Sequence, residues 1–225
     1  MPLSVLTIGT VNHAAGVRVT LDSFREHHPG SRLFTCLVDG RPEHRRALGL
    51  PGEVFSIEDM EQVSQVGQID AHQLPYNLLW RFNERDIIPY CVAHNIPVIT
   101  YSSIAHGILT GRYVRDLILP PGDQRSSVVL FDPDVWPTIY AGVETFKKVA
   151  ENANRSLIHL AIRWVIHQKN VTSVLVGARN AKQVISNVEA LNGEIPEQVF
   201  NELTAISIRL MEQIPDEGNP YGHHP

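Results

Sequence analysis

Residues 97–107 read Pro97-Val98-Ile99-Thr100-Tyr101-Ser102-Ser103-Ile104-Ala105-His106-Gly107. Val98 to Tyr101 are β-branched or aromatic, which favours an extended strand. The strand runs into a loop of hydroxyls closed by glycine, where backbone can approach a phosphate closely. The same grammar recurs on both sides. Upstream, a strand over Gln68–Leu74 is expected to lead through Pro75-Tyr76-Asn77 to a helix over Asn83–His94. Downstream, a strand over Thr172–Val176 is expected to lead through Gly177-Ala178-Arg179-Asn180 to a helix over Ala181–Leu191. Alternating strands and helices imply a largely parallel α/β sheet. Ligands of such sheets gather at the carboxyl ends of the strands.

Working outward, the connection from Gly107 to Pro137 is long, and loops of that length are commonly functional. Amphipathic helices are expected over Tyr140–Asn152 and Ser156–Lys169. In the second, Leu157, Leu160, Ala161, Trp164 and Val165 form one apolar face. A last helix over Pro196–Met211 opens with proline in its first turn. At the other end, strands over Leu3–Ile8 and Leu33–Val38 flank a helix over Ala14–His28, a βαβ unit. A helix over Glu43–Leu48, a third strand over Glu53–Ser56 and a helix over Ile57–Val66 follow. The expected joint lies near Ser56–Gln68, dividing the chain into segments 1–60 and 61–225.

The 225 residues are 43% apolar and 19% charged, with net charge −5, which offers no electrostatic case for nucleic acid or an acidic membrane surface. No apolar run approaches the ~18 residues of a membrane span, and Met1-Pro2-Leu3-Ser4-Val5 lacks the basic start of a signal peptide. Two cysteines, Cys36 and Cys91, without CxxC spacing argue against a metal site or disulfide framework and fit a reducing, cytoplasmic setting.

Certain side chains at the strand ends have suitable chemistry. The Gln73 amide both donates and accepts, and could pair with a carboxamide or with backbone. Tyr101 offers a flat face for a ring or for the core. Arg179 stands where a helix begins, a position suited to a phosphate. Gln183 and Asn187 are placed one turn apart on that helix.

As an ordered set these segments resemble the aldo-keto reductase family. Ile69-Asp70-Ala71-His72-Gln73-Leu74-Pro75-Tyr76-Asn77-Leu78-Leu79-Trp80-Arg81, then Ile88-Pro89-Tyr90-Cys91, resembles that family's sixth strand and helix. Ile99 to Gly111 resembles the seventh strand and its loop, and Val174 to Asn180 the eighth strand. The resemblance covers about 61–208 and implies a partial TIM barrel carrying an NADP site. It implies Gln73 on the carboxamide, Tyr101 stacked on nicotinamide, and Ser102, Ile104 and Arg112 near the pyrophosphate. It further implies Gly177 among the cofactor-binding residues, Arg179 and Gln183 on the 2′-phosphate, and Asn187 on adenine. Ser186 stands where many members carry an acidic adenine contact.

The family's catalytic tetrad is not found. Every lysine (Lys147, Lys148, Lys169 and Lys182) is in the C-terminal half, and no tyrosine precedes Tyr76. Carbonyl reduction therefore has no identified proton donor, and catalytic residues stay unassigned. Segment 3–60 resembles the nucleotide-sugar end of some glycosyltransferases through Asn12-His13, Leu21 to Gly30 and Leu37-Val38-Asp39-Gly40. On that reading Asp132 and Asp134, after the apolar Val128-Val129-Leu130, would chelate a divalent ion, although Asp-Pro-Asp is also ordinary turn chemistry. Three functions are open: an NADP(H)-dependent reductase of small carbonyls, a silent nucleotide-binding remnant, or a glycosyltransferase-like protein. An incomplete barrel would also leave sheet edges for a second chain to cover.

Overall fold

The computed structural model describes Ser4–Gly9, Glu26, Arg32–Leu37, Glu53–Ser56, Ile69–Asp216 and Pro220. The chain divides into two compact units, one of Met1–Ile69 with His223–Pro225 and one of Asp70–Gly222. In the first, β1 (Ser4–Gly9), β2 (Arg32–Leu37) and β3 (Glu53–Ser56) form a parallel sheet in the order β1-β2-β3. Ser4 lies opposite Arg32 and Phe34 opposite Glu53. The helices expected over 14–28, 43–48 and 57–66 lie outside the described residues, as do Asn12 and Asp39.

The second unit repeats the parallel theme. β4 (His72–Pro75), β5 (Val98–Tyr101) and β6 (Ser173–Val174) pair in the order β4-β5-β6. Side chains alternate along each strand. His72, Leu74, Val98 and Thr100 are buried on one face, while Gln73, Ile99 and Tyr101 are half-buried on the other. β6 is shorter than expected, yet hydrogen bonds from Thr172 N to the Val98 carbonyl and from Leu175 N to the Thr100 carbonyl, both 2.8 Å, extend its pairing. Its other edge pairs with no strand among the described residues.

Five helices among the described residues complete this unit: α1 (Ile87–Ala93), α2 (Trp136–Asn152), α3 (Leu157–His167), α4 (Ala181–Glu189) and α5 (Glu197–Met211). The helix expected from Asn83 begins only at Ile87, after a 3-10 turn over Phe82–Glu84. Pro89 explains the delay, because a helix entered at Asn83 would place its ring against the Arg85 carbonyl. The Asp86 carboxylate instead accepts from Ile87 N and starts the helix there. Val129–Phe131 is likewise a 3-10 turn, not the strand needed before a chelating Asp-x-Asp. The Asp132 carboxylate accepts from Asp134 N at 2.8 Å, and the Asp132 carbonyl accepts from Trp136 N at the mouth of α2. The stretch is therefore turn and helix-start chemistry, and no cluster of three metal-binding side chains occurs among the described residues.

The core lies between the sheet and α2, α3 and α5. Tyr76 stacks on Trp164 with ring centroids 5.4 Å apart. The Trp164 indole N–H donates to Thr204 Oγ1 at 2.9 Å. Arg81 lies 5.2 Å from the Trp164 ring centroid and grips both oxygens of Glu84, at 2.8 and 2.9 Å. Glu84 also accepts the Tyr76 hydroxyl. Burial, reinforced by the Glu84 charge, raises the Tyr76 phenol well above its usual range. α2 and α5 approach closely at Gly142, where an added Cβ would collide with the Leu210 side chain. No helix among the described residues is long and apolar enough to cross a membrane.

Candidate active site

The turn after β4 is organised by two asparagines. Asn77 accepts from Leu79 N at 2.8 Å and donates to the Ser102 carbonyl, on the next strand's loop, at 3.0 Å. Asn83 donates to the Pro75 carbonyl at 2.8 Å. Tyr76 N donates to the Tyr101 carbonyl at 3.1 Å, so the ends of β4 and β5 stay level. Gln73 and Tyr101 consequently occupy the same half-buried face of the sheet, with Gln73 in register with Ile99 and Pro75 with Tyr101.

The loop after β5 is strained. Ser102, Ala105 and His106 have φ of 54°, 48° and 53°, and Gly107 follows at 91°. A non-glycine residue there costs about 1–2 kcal/mol, and such conformations concentrate at ligand-binding loops. Local bonds hold this one in place. Ala105 N donates to the Ser102 carbonyl at 2.7 Å, Thr110 Oγ1 to the Gly107 carbonyl at 2.6 Å, and Ser103 Oγ to the Leu175 carbonyl at 3.0 Å. Ser103 is thus a tie to β6's continuation, while Ser102 and Ile104 remain half-buried at the loop's rim.

Beyond the loop lies a network assembled from separate turns. Tyr113 donates its hydroxyl proton to the His106 carbonyl and accepts from Arg125 Nη1 at 2.6 Å. Arg125 grips the Asp123 carboxylate through Nε at 2.8 Å and through Nη2, and its own amide adds a bond of 3.0 Å. Those hydrogen bonds from Arg125 hold the Asp123 carboxyl down to about 2, helped more weakly by Arg179. Arg112 lies over the Tyr113 ring, 5.7 Å from its centroid. His106 Nε2 is 3.4 Å from Ser102 Oγ. Burial, then the Arg125 charge, lowers the His106 imidazole from its ordinary value. The Asp-x-Arg at 123–125 inside a long connection is the one signal in the sequence, but its partners lie on separate turns.

At β6 the chain passes through exposed Gly177, Ala178 and Arg179 into α4. Asn180 caps that helix by accepting from Gln183 N at 3.0 Å. Gln183 Oε1 accepts from Arg179 N at 2.7 Å, and Asn187 Nδ2 donates to the Gly177 carbonyl at 3.4 Å. Both amides therefore have structural duties, and those bonds do not use Gln183 Nε2 or Asn187 Oδ1. The Arg179 guanidinium is exposed and makes no hydrogen bond among the described residues. Ser186 faces α3, 3.2 Å from His159 Nε2. Ile162, Ile166, Val174, Val176, Val184 and Val188 line an apolar groove of about 270 Å³ beside Asn187.

The candidate residues thus fall into three clusters on consecutive strand ends: Gln73 with Tyr101; Ser102, Ile104 and Arg112; and Gly177, Arg179, Gln183 and Asn187. Amide, ring and guanidinium groups in that order suit an elongated ligand with a polar aromatic end and phosphates.

The sequence model of the aldo/keto reductase family matches residues 46–208. Aldo-keto reductase YhdN of Bacillus subtilis is 31% identical over 140 residues, 62% of this chain and 42% of that protein. The NADH-specific methylglyoxal reductase of Escherichia coli is 30% identical over 147 residues, 65% of this chain and 44% of that protein. The chain thus spans less than half the length of these two relatives. The solved structure of glycerol dehydrogenase AKR11B4 from Gluconobacter oxydans superimposes with a TM-score of 0.64 at 24% identity, over 96% of this chain and 61% of that one. The structural likeness covers 96% of this chain, whereas the family model's match begins at residue 46. Because the family's pattern runs through well over half of its residues, the protein belongs to the aldo/keto reductase family.

Proposed function

We propose that the Asp70–Gly222 unit binds a nicotinamide dinucleotide, NADP(H) above all, as the cofactor half of a carbonyl-reducing oxidoreductase. The observation that carries this reading is the alignment of three candidate clusters on the successive carboxyl ends of β4, β5 and β6. Gln73 would pair with the carboxamide and Tyr101 would stack on the ring. The loop Ser102–Gly107 with Ile104, together with Arg112, would meet the pyrophosphate. Gly177 would keep the turn open, Arg179 and Gln183 would hold the 2′-phosphate, and Asn187 would meet adenine. A bound nicotinamide supplies or accepts the hydride.

Support for binding is stronger than support for turnover. All four lysines follow residue 146, and no tyrosine precedes Tyr76, so the chain shows no counterpart of an early-strand tyrosine acid with its lysine. A silent dinucleotide-binding protein is the second form of the same reading. The part-barrel arrangement of 61–225, the division at residue 60, an oligomer covering the open edge of β6 and a cytoplasmic location belong to the proposal as well. The glycosyltransferase-like reading of 3–60 finds no added support, since its Asp132 and Asp134 are engaged in a turn.

Titration with NADPH and NADH, followed through energy transfer from the buried Trp80, Trp136 and Trp164, tests the reading. Saturable binding is expected. Absence of binding to both nucleotides would overturn it. Turnover of small aldehydes or ketones by the binding-competent protein would separate the active form from the silent one.

A further inference from the structure

Every backbone carbonyl from Ala190 to Glu194 is held by one of two arginines. Arg163 Nη1 donates to the carbonyls of Ala190 at 3.3 Å and of Leu191 and Gly193 at 3.0 Å. Arg155 donates to the Asn192 carbonyl through Nη1 at 2.8 Å and to the Glu194 carbonyl through Nη2 at 3.3 Å. Gly193 makes room for this, since a Cβ there would collide with the Arg155 guanidinium. The turn so gathered is the exit of α4, with Ala190 as its cap residue. Carbonyls at a helix exit lack intrahelical donors and carry partial negative charge, so cations suit them. α4 has no basic residue in its own last turn. The cations come instead from α3 and the residue just ahead of its cap. Arg155, His159 and Arg163 are spaced by four residues, and His159 Nε2 adds a contact of 3.2 Å to Ser186 Oγ on α4.

These ties matter because packing does little to seat α4. None of its nine residues is buried, and Val184 and Val188 line the apolar groove of about 270 Å³ that it shares with α3 and β6. We propose that Arg163, seconded by Arg155, is a positioning residue for the adenosine end of the dinucleotide site, acting through α4 on Gln183 and Asn187. This rests on the reading of the site given above. Asn187 lies three residues ahead of Ala190, so a shift of the helix exit is passed directly to its side chain. Groups that recognise a ligand must be held within about 0.5 Å to act well. The nicotinamide end, on β4 and β5, has its own supports in Asn77 and Asn83 and is independent of this turn.

The test compares the full chain with Arg163→Met, which keeps the apolar stem and removes the donors, and with Arg163→Lys, which restores a cation that can reach the same carbonyls. NADPH is titrated through tryptophan energy transfer, and adenosine 2′,5′-bisphosphate, which lacks the nicotinamide half, is titrated by calorimetry. In Arg163→Met the Kd for both is expected to rise together, about three- to tenfold. The transfer at saturating NADPH should be unchanged, because the nicotinamide still reaches its seat. Arg163→Lys should recover a large part of the loss. Unchanged Kd values in Arg163→Met, whatever its melting temperature, would overturn the proposal and leave the site reading intact. A rise for NADPH without a rise for the bisphosphate, or a fall in the saturating transfer, would overturn it too, since the damage would then lie at the nicotinamide end. If Arg163→Met fails to fold, Arg163→Lys decides: it should bind both ligands less than threefold more weakly than the full chain, and a greater loss would overturn the proposal. Binding of neither ligand by the unaltered chain would remove the site reading itself, and the proposal with it.

Discussion

α3 and α4 are neighbouring helices held in opposite ways. α3 buries Leu157, Leu160, Ala161, Ile162, Trp164 and Val165, and Trp164 is fully enclosed by Tyr76, Arg81 and Thr204. α4 buries no residue, and Val184, Ile185 and Val188 are 52%, 58% and 61% exposed. Yet α4 carries Gln183 and Asn187 and begins beside Arg179, while α3 carries none of the candidate ligand groups. The buried core residues and the candidate ligand groups therefore lie on different helices. The packed helix fixes the sheet, and the lightly held one is placed by its cap and by backbone ties at its entrance.

Substitutions can break or sharpen that division. The largest effect is expected at Trp164. Trp164→Ala should cost about 3–5 kcal/mol, read from the midpoint of chemical denaturation. A loss below about 1 kcal/mol would mean that the Tyr76–Trp164 cluster is not where the unit's stability resides.

Next comes Tyr76, whose phenol is raised in the folded state. Its stabilising effect is complete below the unfolded phenol pKa near 10 and is lost as pH climbs beyond it. Stability should fall by up to about 1.4 kcal/mol per pH unit there. Tyr76→Phe should cost about 1 kcal/mol at neutral pH and flatten that alkaline decline. An equally steep decline in the variant would assign it to other groups.

Arg179→Ala should act on the other side of the division. NADPH affinity should drop about tenfold, NADH affinity by less, and the melting temperature should hold. An equal loss for both nucleotides would take the 2′-phosphate away from Arg179. The smallest effect is expected at Val188. Val188→Ser should change stability by no more than about 0.5 kcal/mol. A larger loss in calorimetry would show that the apolar face of α4 is covered in solution.

How far the sequence can be read obeys the same division. The strands β4 and β5 and the helices α2, α3 and α5 were legible because apolar residues recur with the period of each element. A boundary moved where single residues outweighed the period, since Pro89 and Asp86 delayed α1. The exposed aliphatics of α4 could not be distinguished from buried ones, because period records which face is apolar and not whether anything covers it. Within the candidate site, residues at strand ends were legible one by one. The Asp123–Arg125–Tyr113 network was not, since it depends on turns that bring residues 106, 113 and 125 together. Gln183 and Asn187 stood out by type and spacing, but nothing in either residue announced its bond to the local backbone.

Asn77 has one further consequence. Its side chain shapes its own turn through Leu79 N and, from that turn after β4, holds the carbonyl of Ser102, where the strained loop begins. The loop after β5 is therefore not a portable cassette. Grafted onto another parallel sheet with residues 98–111 alone, it would arrive without the amide that braces its first left-handed residue, and it should relax. A transplant that also carries β4 with Asn77 in the turn after it should keep its shape, so the smallest transferable unit is a pair of strands with their turns and not a loop.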